Sequence, residues 1–220
     1  MRSQHLQWTA AVCVCAMVLC SVANANADGK GAYGGGGGPL LHFQTFSSDG
    51  MDQLARVLGV PPLGSYLRGA GGAGYAYFLH SRIGGLGAGA SLRSSALING
   101  KERSLEVSFG YGGFLAEYIN RHGRLVTSAG CVIGGGGYEV EIKDDSGSHK
   151  ASKGFFCIEP CVGLRLQLVE FAALQGWAGY LLPVSEELTI RYGSALYRLA
   201  AGEMGGLSLK LGVIFGGQAP

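Results

Sequence analysis

The sequence carries little charge, and neither sign dominates. Only 15% of its 220 residues are charged, with 17 lysines and arginines against 15 aspartates and glutamates. A protein that binds nucleic acid needs a basic face to neutralise phosphates, so no nucleic-acid partner is predicted. Hydrophobic residues make up 47% of the chain. That content excludes a disordered protein, because disordered chains are poor in apolar residues.

Apolar runs of 18 or more residues are missing from the chain after residue 27. One apolar run, Trp8 to Ala23, precedes Ala25-Asn26-Ala27, which has the small-x-small pattern of a cleavage site. We therefore predict a signal peptide over residues 1–27 and a single exported domain over residues 28–220. An uncleaved anchor helix is the alternative, but this run is shorter than the roughly 20 residues that a membrane span needs.

Cysteine is scarce in the exported part, where only Cys131, Cys157 and Cys161 remain. An odd number of cysteines does not favour a disulfide framework, because disulfides use cysteines in pairs. On a strand, Cys157 and Cys161 would share a face about 13 Å apart at roughly 3.3 Å per residue, which is too far for a bridge. A metal site would need more ligands than these residues offer. The three cysteines are predicted to be small apolar residues of a β wall.

Common catalytic motifs are missing as well. The chain contains no G-x-x-x-x-G-K-[ST], no H-E-x-x-H and no G-x-S-x-G pattern. Gly69 to Gly74 match G-x-G-x-x-G, but a strand pattern follows this segment instead of preceding it, so a dinucleotide site is not predicted. The sequence therefore predicts no catalytic residues, no cofactor and no metal.

Alternation of apolar residues with small or polar residues dominates the exported part and predicts strands. The predicted strands lie near residues 33–44, 70–79, 82–93, 103–118, 124–142, 154–168, 171–182 and 206–216. Residues 188–193 form a further short candidate, so either 33–44 or 188–193 could supply the eighth strand. Helical spacing occurs between Asp49 and Gly59, where Met51, Leu54 and Leu58 recur. This short amphipathic helix could cap the mouth of a barrel, lie at the membrane interface or dock on a partner, and capping is the expected role.

The predicted connections alternate in length. Long links are expected at 45–69, 94–102, 143–153 and 183–205. Short links are expected at 80–81, 119–123 and 169–170. A meander with both ends of the domain on one side places the short links on that side and the long links opposite.

This architecture resembles the small eight-stranded bacterial outer-membrane barrels, the OmpA-like and OmpX-like proteins, which have short periplasmic turns and longer external loops. The resemblance covers roughly residues 33–217 and rests on architecture, without a specific motif. It implies an all-β, antiparallel up-and-down barrel of about eight strands. It also implies an outer-membrane location, with the lipid bilayer as a partner. A structural or surface-interaction role would then use the long links 45–69 and 183–205.

Charged residues on the polar faces of the strands predict the content of the lumen. If the apolar faces point to lipid, Glu106, Glu159, Arg165 and Lys210 point inward. Charges inside a small barrel must pair, because unpaired burial costs several kcal/mol. We expect these four side chains to form an ion network that closes the lumen to solutes. A polar path for protons or ions is the rival interpretation.

Glycine is abundant, with 40 residues, and clusters at 84–89, 110–113 and 134–137 within predicted strands. Glycine in a strand costs stability, so these clusters need a reason. Curvature and the packing of aromatic side chains over bare backbone are the expected reasons.

Two other functions remain open at this stage. The first is a soluble secreted or periplasmic barrel that binds a small apolar ligand, in which the apolar strand faces would point inward. The second is a membrane-embedded lipid hydrolase or acyltransferase. That enzyme would need a histidine within hydrogen-bond reach of a serine or a carboxylate near the membrane interface.

Overall fold

The computed structural model describes residues 32–47, 49–184, 187–193, 195–199, 201–216 and 218–219. The predicted signal peptide lies outside the described residues. The strands are β1 (Ala32–Thr45), β2 (Tyr66–Leu79), β3 (Ser81–Ile98), β4 (Lys101–His122), β5 (Leu125–Asp144), β6 (Gly147–Val169), β7 (Ala172–Val184), β8 (Leu188–Tyr192), β9 (Ala195–Leu199), β10 (Gly206–Phe215) and β11 (Gln218–Ala219). Helix α1 spans Asp49–Leu58, and a short 3-10 helix spans Ala201–Met204.

Eight of these strands close into a ring. Strands β1 to β7 pair antiparallel in chain order, β10 pairs with β7, and β1 closes the ring by pairing with both β2 and β10. The predicted antiparallel up-and-down barrel is thus confirmed, with β1 as the eighth strand. Residues 188–192 take no part in the ring, because β8 pairs only with β9 in a separate hairpin.

The long links at 45–69 and 183–205 are present, but the two other predicted long links are wrong. Strands β3 and β4 run on to a two-residue turn at Asn99-Gly100, where both residues have positive φ, 52° and 78°. Strands β5 and β6 likewise continue to a tight turn at Asp145-Ser146, with the Ser146 amide donating to Asp144 Oδ1 at 2.8 Å. The polar residues of these segments indicated loops, but they lie on strands.

Strands β4, β5 and β6 are about twice as long as a bilayer crossing requires. They have 22, 20 and 23 residues, whereas a tilted membrane strand needs about 9–11. From the middle of these strands toward the short turns, which we call the lower part, apolar side chains are exposed on the outer face. They include Phe114, Ile133 and Phe156. The upper parts of the strands carry outward charges such as Glu106 and Glu139, so the wall projects beyond the apolar belt at the end that holds the long links.

The outer face of β4 changes from charged to apolar along the strand, whereas the inner face keeps apolar side chains throughout, including Leu115 and Ile119. Leu105, Val107 and Phe109 are buried on the inner face, whereas Phe114 is exposed on the outer face and Glu117 is buried inside. The expectation that the apolar faces of the strands point to lipid is therefore wrong for this part of β4. Beyond the belt the outer face of the strand carries charged side chains, and its inner face packs against other apolar residues.

A cap, formed by α1, the β8–β9 hairpin and the 3-10 helix, packs inside this projecting wall. Met51, Leu54 and Leu58 on α1 are buried in the same apolar cluster as Leu105, Val107, Leu188 and Ile190. Hydrogen bonds fasten the cap to the wall: Ser94 Oγ donates to Pro61 O at 2.7 Å, and Gln44 Nε2 donates to Met204 O at 2.7 Å. The cap lies at the long-link end of the barrel.

Helix α1 forms where local signals agree with this packing. Asp49 and Asp52 lie in its first turn and Arg56 in its last, which complements the helix dipole. Gly59 follows at φ 75°, the left-handed conformation that commonly ends a helix. Among the described residues, no helix is long and apolar enough to cross a membrane.

Substitution of Leu54 tests whether burial of the α1 face holds the cap in place. Leu54 has no exposed surface, so Leu54→Ala should cost about 2–5 kcal/mol. We expect trypsin to cleave faster at Arg56 while the barrel itself stays folded, which limited proteolysis followed by mass spectrometry measures. Val57 on the same helix is 54% exposed, so Val57→Ala is the matched control. Equal cleavage rates in the two variants would contradict the packing described.

Candidate functional site in the barrel lumen

The lumen of the ring contains most of the buried polar side chains that the structure describes. These residues point inward from seven of the eight barrel strands, and each is almost fully shielded from solvent. They are His42, Gln44, Arg82, Glu117, Ser128, Glu159, Arg165, Gln175, Ser208 and Lys210. The lumen is therefore the candidate functional site.

Three of the four residues predicted for the ion network lie here. Glu159 and Arg165 on β6 and Lys210 on β10 are at most 1% exposed. Glu106 requires a correction, because it lies on the outer face of β4 between the buried Leu105 and Val107. Its misplacement follows from the charged outer face of β4 above the apolar belt.

One buried ion pair joins Lys210 to Glu159. Tyr111 donates its phenol hydrogen to the other oxygen of Glu159 at 2.7 Å, and Lys210 Nζ also donates to Ser208 Oγ at 2.7 Å. The same serine oxygen lies 3.3 Å from His42 Nε2. Both charges of this pair are thereby surrounded by hydrogen-bond partners, as a charge in a low-dielectric interior requires.

A second buried ion pair, which the sequence analysis missed, joins Arg82 on β3 to Glu117 on β4. Arg82 Nε donates to Glu117 Oε2 at 2.6 Å, and its other nitrogens donate to Gln175 Oε1 at 2.9 Å and Ser128 Oγ at 3.1 Å. Glu117 Oε1 accepts from Ser128 Oγ at 2.7 Å and from Trp177 Nε1 at 3.1 Å. The guanidinium also lies 4.5 Å from the Tyr75 ring centroid, a cation–π distance.

A signal for the second pair was present in the sequence. Asn-Gly is the strongest short hairpin signal, and a two-residue turn fixes the register of the strands that flank it. Ile98 faces Lys101 across the Asn99-Gly100 turn, and extending this register down both strands places Arg82 opposite Glu117. The signal was lost because residues 94–102 were interpreted as a long link.

Inward glycines make room for the ion pairs. A Cβ atom on Gly130 would lie 2.4 Å from Glu117 Cγ, and one on Gly179 would lie 2.7 Å from Glu159 Oε1. A Cβ on Gly163 would lie 2.3 Å from the Ser128 hydroxyl. Contacts this short are essentially never seen for real Cβ atoms. At these positions, glycine permits a charged or polar group to pack directly against the neighbouring strand.

The geometry also bears on the two rival functions. His42 and Ser208 form the histidine–serine contact that a hydrolase would need, but both point into the lumen and are buried. A lipid approaching the outer wall therefore does not reach this serine. For the ligand-binding rival, Leu164, Leu166, Leu209 and Leu211 are exposed on the outer face, opposite to the inward orientation that a soluble barrel requires.

The three cysteines are all buried thiols. Cys157 and Cys161 lie on the inner face of β6, on either side of Glu159. Within the described part of the chain, no group of three or more histidine, cysteine or acidic residues is placed to hold a metal ion.

The cap is joined to the wall by a hydrogen bond between Tyr192 on β8 and Asp144 at the tip of β5. The phenol donates to Asp144 Oδ2 at 2.6 Å, and the Ser146 hydroxyl donates to Oδ1 at 2.6 Å. The bonds from Ser146 and then from Tyr192 lower the pKa of Asp144 from 3.8 to about 2. Burial and the Asp144 hydrogen bond raise the pKa of Tyr192 to about 12. The carboxylate and the neutral phenol thus persist together across the physiological range.

Comparisons with known proteins show the fold. No protein-family model matches the chain, and no curated protein matches it. Among solved structures, the chain is similar to Ail, the attachment invasion locus protein of Yersinia pestis, with a TM-score of 0.51 and 12% identity over 85% of this chain and 99% of Ail. It is also similar to the outer membrane protein OprG of Pseudomonas aeruginosa, with a TM-score of 0.53 and 12% identity over 86% and 97% of the two chains. The expected outer-membrane-type barrel architecture is thus confirmed.

Removal of one charge tests whether the lower ion pair stabilises the barrel. Glu117→Gln leaves Arg82 buried and uncompensated, which should cost about 3–5 kcal/mol of unfolding free energy. Equilibrium unfolding in lipid vesicles, followed by the gel mobility of the folded form, measures the loss. The double variant R82Q/E117Q should recover part of it, because no charge then remains unpaired.

Glu106→Gln is the matched control for that experiment. Glu106 lies on the same strand but on its outer face, so its substitution should change stability by no more than about 0.5 kcal/mol. Similar losses for Glu106→Gln and Glu117→Gln would contradict the assignment of inner and outer faces on β4.

The hydrogen bond to Asp144 gives a pH-dependent contribution to the attachment of the cap. A carboxyl group whose pKa is lowered on folding stabilises the fold above its ordinary pKa of 3.8, and this contribution disappears as the pH falls through about 2. A carbon-13 NMR titration should give a midpoint near 2 for Asp144. Tyr192→Phe should raise that midpoint toward 3.8. Ser148→Ala removes a neighbouring bond to Glu141 and should leave the Asp144 midpoint unchanged.

Proposed function

We propose that this chain is exported to a bacterial outer membrane, where it forms a barrel whose lumen is closed by side chains, and that its role is structural or surface-interacting without catalysis. The observation that carries the proposal is the division of its faces. Apolar side chains are exposed on the outer wall of a closed ring, while paired charges fill the interior.

The outer wall supports contact with lipid. Large apolar side chains are exposed around the ring on β1, β3, β4, β5, β6, β7 and β10. They include Leu41, Phe43, Ile83, Phe114, Ile133, Phe156, Val162, Leu164, Leu166, Leu174, Leu207, Leu209, Leu211 and Phe215. An apolar belt of this extent is unfavourable in water and matches the lipid-facing band of transmembrane barrels. The short-turn end would then face the periplasm and the long-link end the cell exterior.

The side chains of the lumen support a closed interior. An eight-stranded barrel encloses a space just wide enough for side chains to fill. The pairs Arg82–Glu117 and Lys210–Glu159 lie inside it, with Trp177 contacting Glu117 and only 1% exposed. Above them, the cap packs on the inner face of the projecting wall. This arrangement favours a plug over a polar path for ions.

The cap supports a surface-interaction role through the long links 45–69 and 183–205. Val57 on α1 and Leu196 on β9 are about half exposed, and Leu97 at the adjacent tip of β3 is 75% exposed. Exposed apolar side chains at a tip that lies outside the membrane are suited to contact with another protein.

Attachment of a polyanion is less well supported. Ail was solved in complex with the heparin analogue sucrose octasulfate. In this chain, several basic side chains at the long-link end lie in ion pairs, with Arg103 Nη2 3.0 Å from Asp145 and Lys150 Nζ 3.3 Å from Glu139. The charge of these side chains is already compensated locally, and we favour a protein partner at the cap.

Fractionation and conductance test the proposal together. The protein should appear in the outer-membrane fraction and migrate differently on a gel before and after boiling, because a closed barrel resists unfolding by detergent. In planar bilayers it should add no stable channel conductance. A soluble protein without a heat-dependent shift would contradict the membrane assignment, and a steady large conductance would contradict the closed lumen.

A further inference from the structure

Two arginines at the short-turn end of the lumen flank one tyrosine ring. The guanidinium carbon of Arg165 on β6 lies 5.4 Å from the Tyr77 ring centroid, and that of Arg121 on β4 lies 5.6 Å from it. Arg165 is 1% exposed, Tyr77 is 3% exposed, and Arg121 is half-buried. We call these three residues the arginine mouth.

The charges of the arginine mouth are not compensated by the residues that the structure describes. Arg82 pairs with Glu117, but neither Arg165 nor Arg121 lies in a described ion pair. Arg165 makes only neutral contacts, with Nη1 donating to the Tyr75 hydroxyl at 3.5 Å and Nη2 to Gln167 Oε1 at 2.9 Å. A fully buried charge without a counter-charge is costly, by several kcal/mol.

Each residue of the arginine mouth also carries a donor without a partner. Arg165 Nε, Arg121 Nη2 and the Tyr77 hydroxyl are all buried without a hydrogen-bond partner. Buried polar groups are rarely left unpaired, so each of these atoms requires an explanation. A hydrogen-bond acceptor that carries negative charge would satisfy these three donors and also compensate the two positive charges.

We propose that the arginine mouth binds a phosphate-type oxyanion that enters from the short-turn end. Guanidinium groups present N–H donors in a planar fork that matches phosphate oxygens, and the phenol supplies a further donor. The anion can reach the site from this end, because Arg121 is only half-buried and lies next to the β4–β5 turn. The long-link end is occupied by the cap, so the two ends of the lumen differ in what they admit.

The lower wall holds the site in a fixed shape. Gln167 accepts from Arg165, and its own amide donates to Val169 O at 2.6 Å and to Glu170 O at 3.3 Å in the β6–β7 turn. The Tyr75 and Tyr77 rings pack edge to face at 5.3 Å. Arg165 is thus held by a turn and by an aromatic pair before any anion arrives.

Phosphate titration of the folded barrel tests the proposal. The protein is purified in a neutral, phosphate-free detergent, and its thermal unfolding is followed against inorganic phosphate, with chloride at matched ionic strength as the reference. We expect saturable stabilisation by phosphate in the wild-type protein. Arg165→Gln and Arg121→Gln should each weaken the apparent affinity at least tenfold.

Arg124→Gln is the matched control, because Arg124 lies at the same end of the barrel but is exposed. It should bind phosphate as the wild-type protein does. Without phosphate, Arg165→Gln should be at least as stable as the wild-type protein, since it removes an uncompensated charge. Absence of saturable stabilisation, equal loss in Arg124→Gln, or destabilisation by Arg165→Gln in phosphate-free buffer would each overturn the proposal.

A second arm identifies the source of the oxyanion. Native mass spectrometry compares retention of inorganic phosphate with that of a short-chain phosphatidic acid, in the wild-type protein and in Arg165→Gln. Retention of either ligand that depends on Arg165 supports the site. Retention of inorganic phosphate indicates a free anion, whereas retention of phosphatidic acid indicates a lipid headgroup. Retention that is equal in both proteins would overturn it. This readout is independent of conductance and cellular location, so it can fail while the proposed function stands.

Discussion

The narrow interior of an eight-stranded ring is the constraint on which the rest of this structure depends. Such a ring leaves space for side chains but not for a layer of water around each charge. A buried charge therefore needs a counter-charge on another strand, as Arg82 has in Glu117 and Lys210 has in Glu159. Among the described residues, Arg165 is the buried charge that lacks one. The glycines beside these carboxylates are a consequence, because a methyl group at Gly130 or Gly179 would occupy the same space.

A second feature is that strands β4, β5 and β6 extend beyond the apolar belt, so their two faces have different surroundings within the belt and above it. Within the apolar belt, the outer face of the wall is hydrophobic and the inner face carries the paired charges among apolar side chains such as Leu115 and Ile119. Above the belt, the inner face is hydrophobic and packs against the cap. The change on β4 occurs at Gly112-Gly113, between the inward Tyr111 and the outward Phe114. A row of outward glycines, Gly110, Gly137 and Gly154, lies paired across β4, β5 and β6. A Cβ atom on these glycines would meet only ordinary contacts, at 3.5 to 3.8 Å, so crowding accounts for inward glycines but not for this row.

The two ends of the lumen also differ chemically. The long-link end is covered by apolar side chains of α1 and the β8–β9 hairpin, and charged groups such as Lys150 and Glu139 pair on the outside of the wall. The short-turn end holds Arg165 and Arg121 around Tyr77 without a described carboxylate partner. Under the two proposals, a barrel closed in its middle would present one surface to proteins and a different pocket to small anions.

The sequence by itself determined the fold class, the helix at 49–58, the two real long links and the inward position of Glu159, Arg165 and Lys210. These depend on local signals, since alternation of apolar residues and helical spacing are properties of neighbouring positions. Only the tertiary structure decided that Glu106 faces outward. It also showed that residues 94–102 and 143–153 are strand ends joined by two-residue turns, and with those turns the register that places Arg82 opposite Glu117. The physical reason is that alternation shows two faces without showing which one is inside. That choice depends on whether lipid, water or the cap lies against each face, and these surroundings are set by segments far away in the chain.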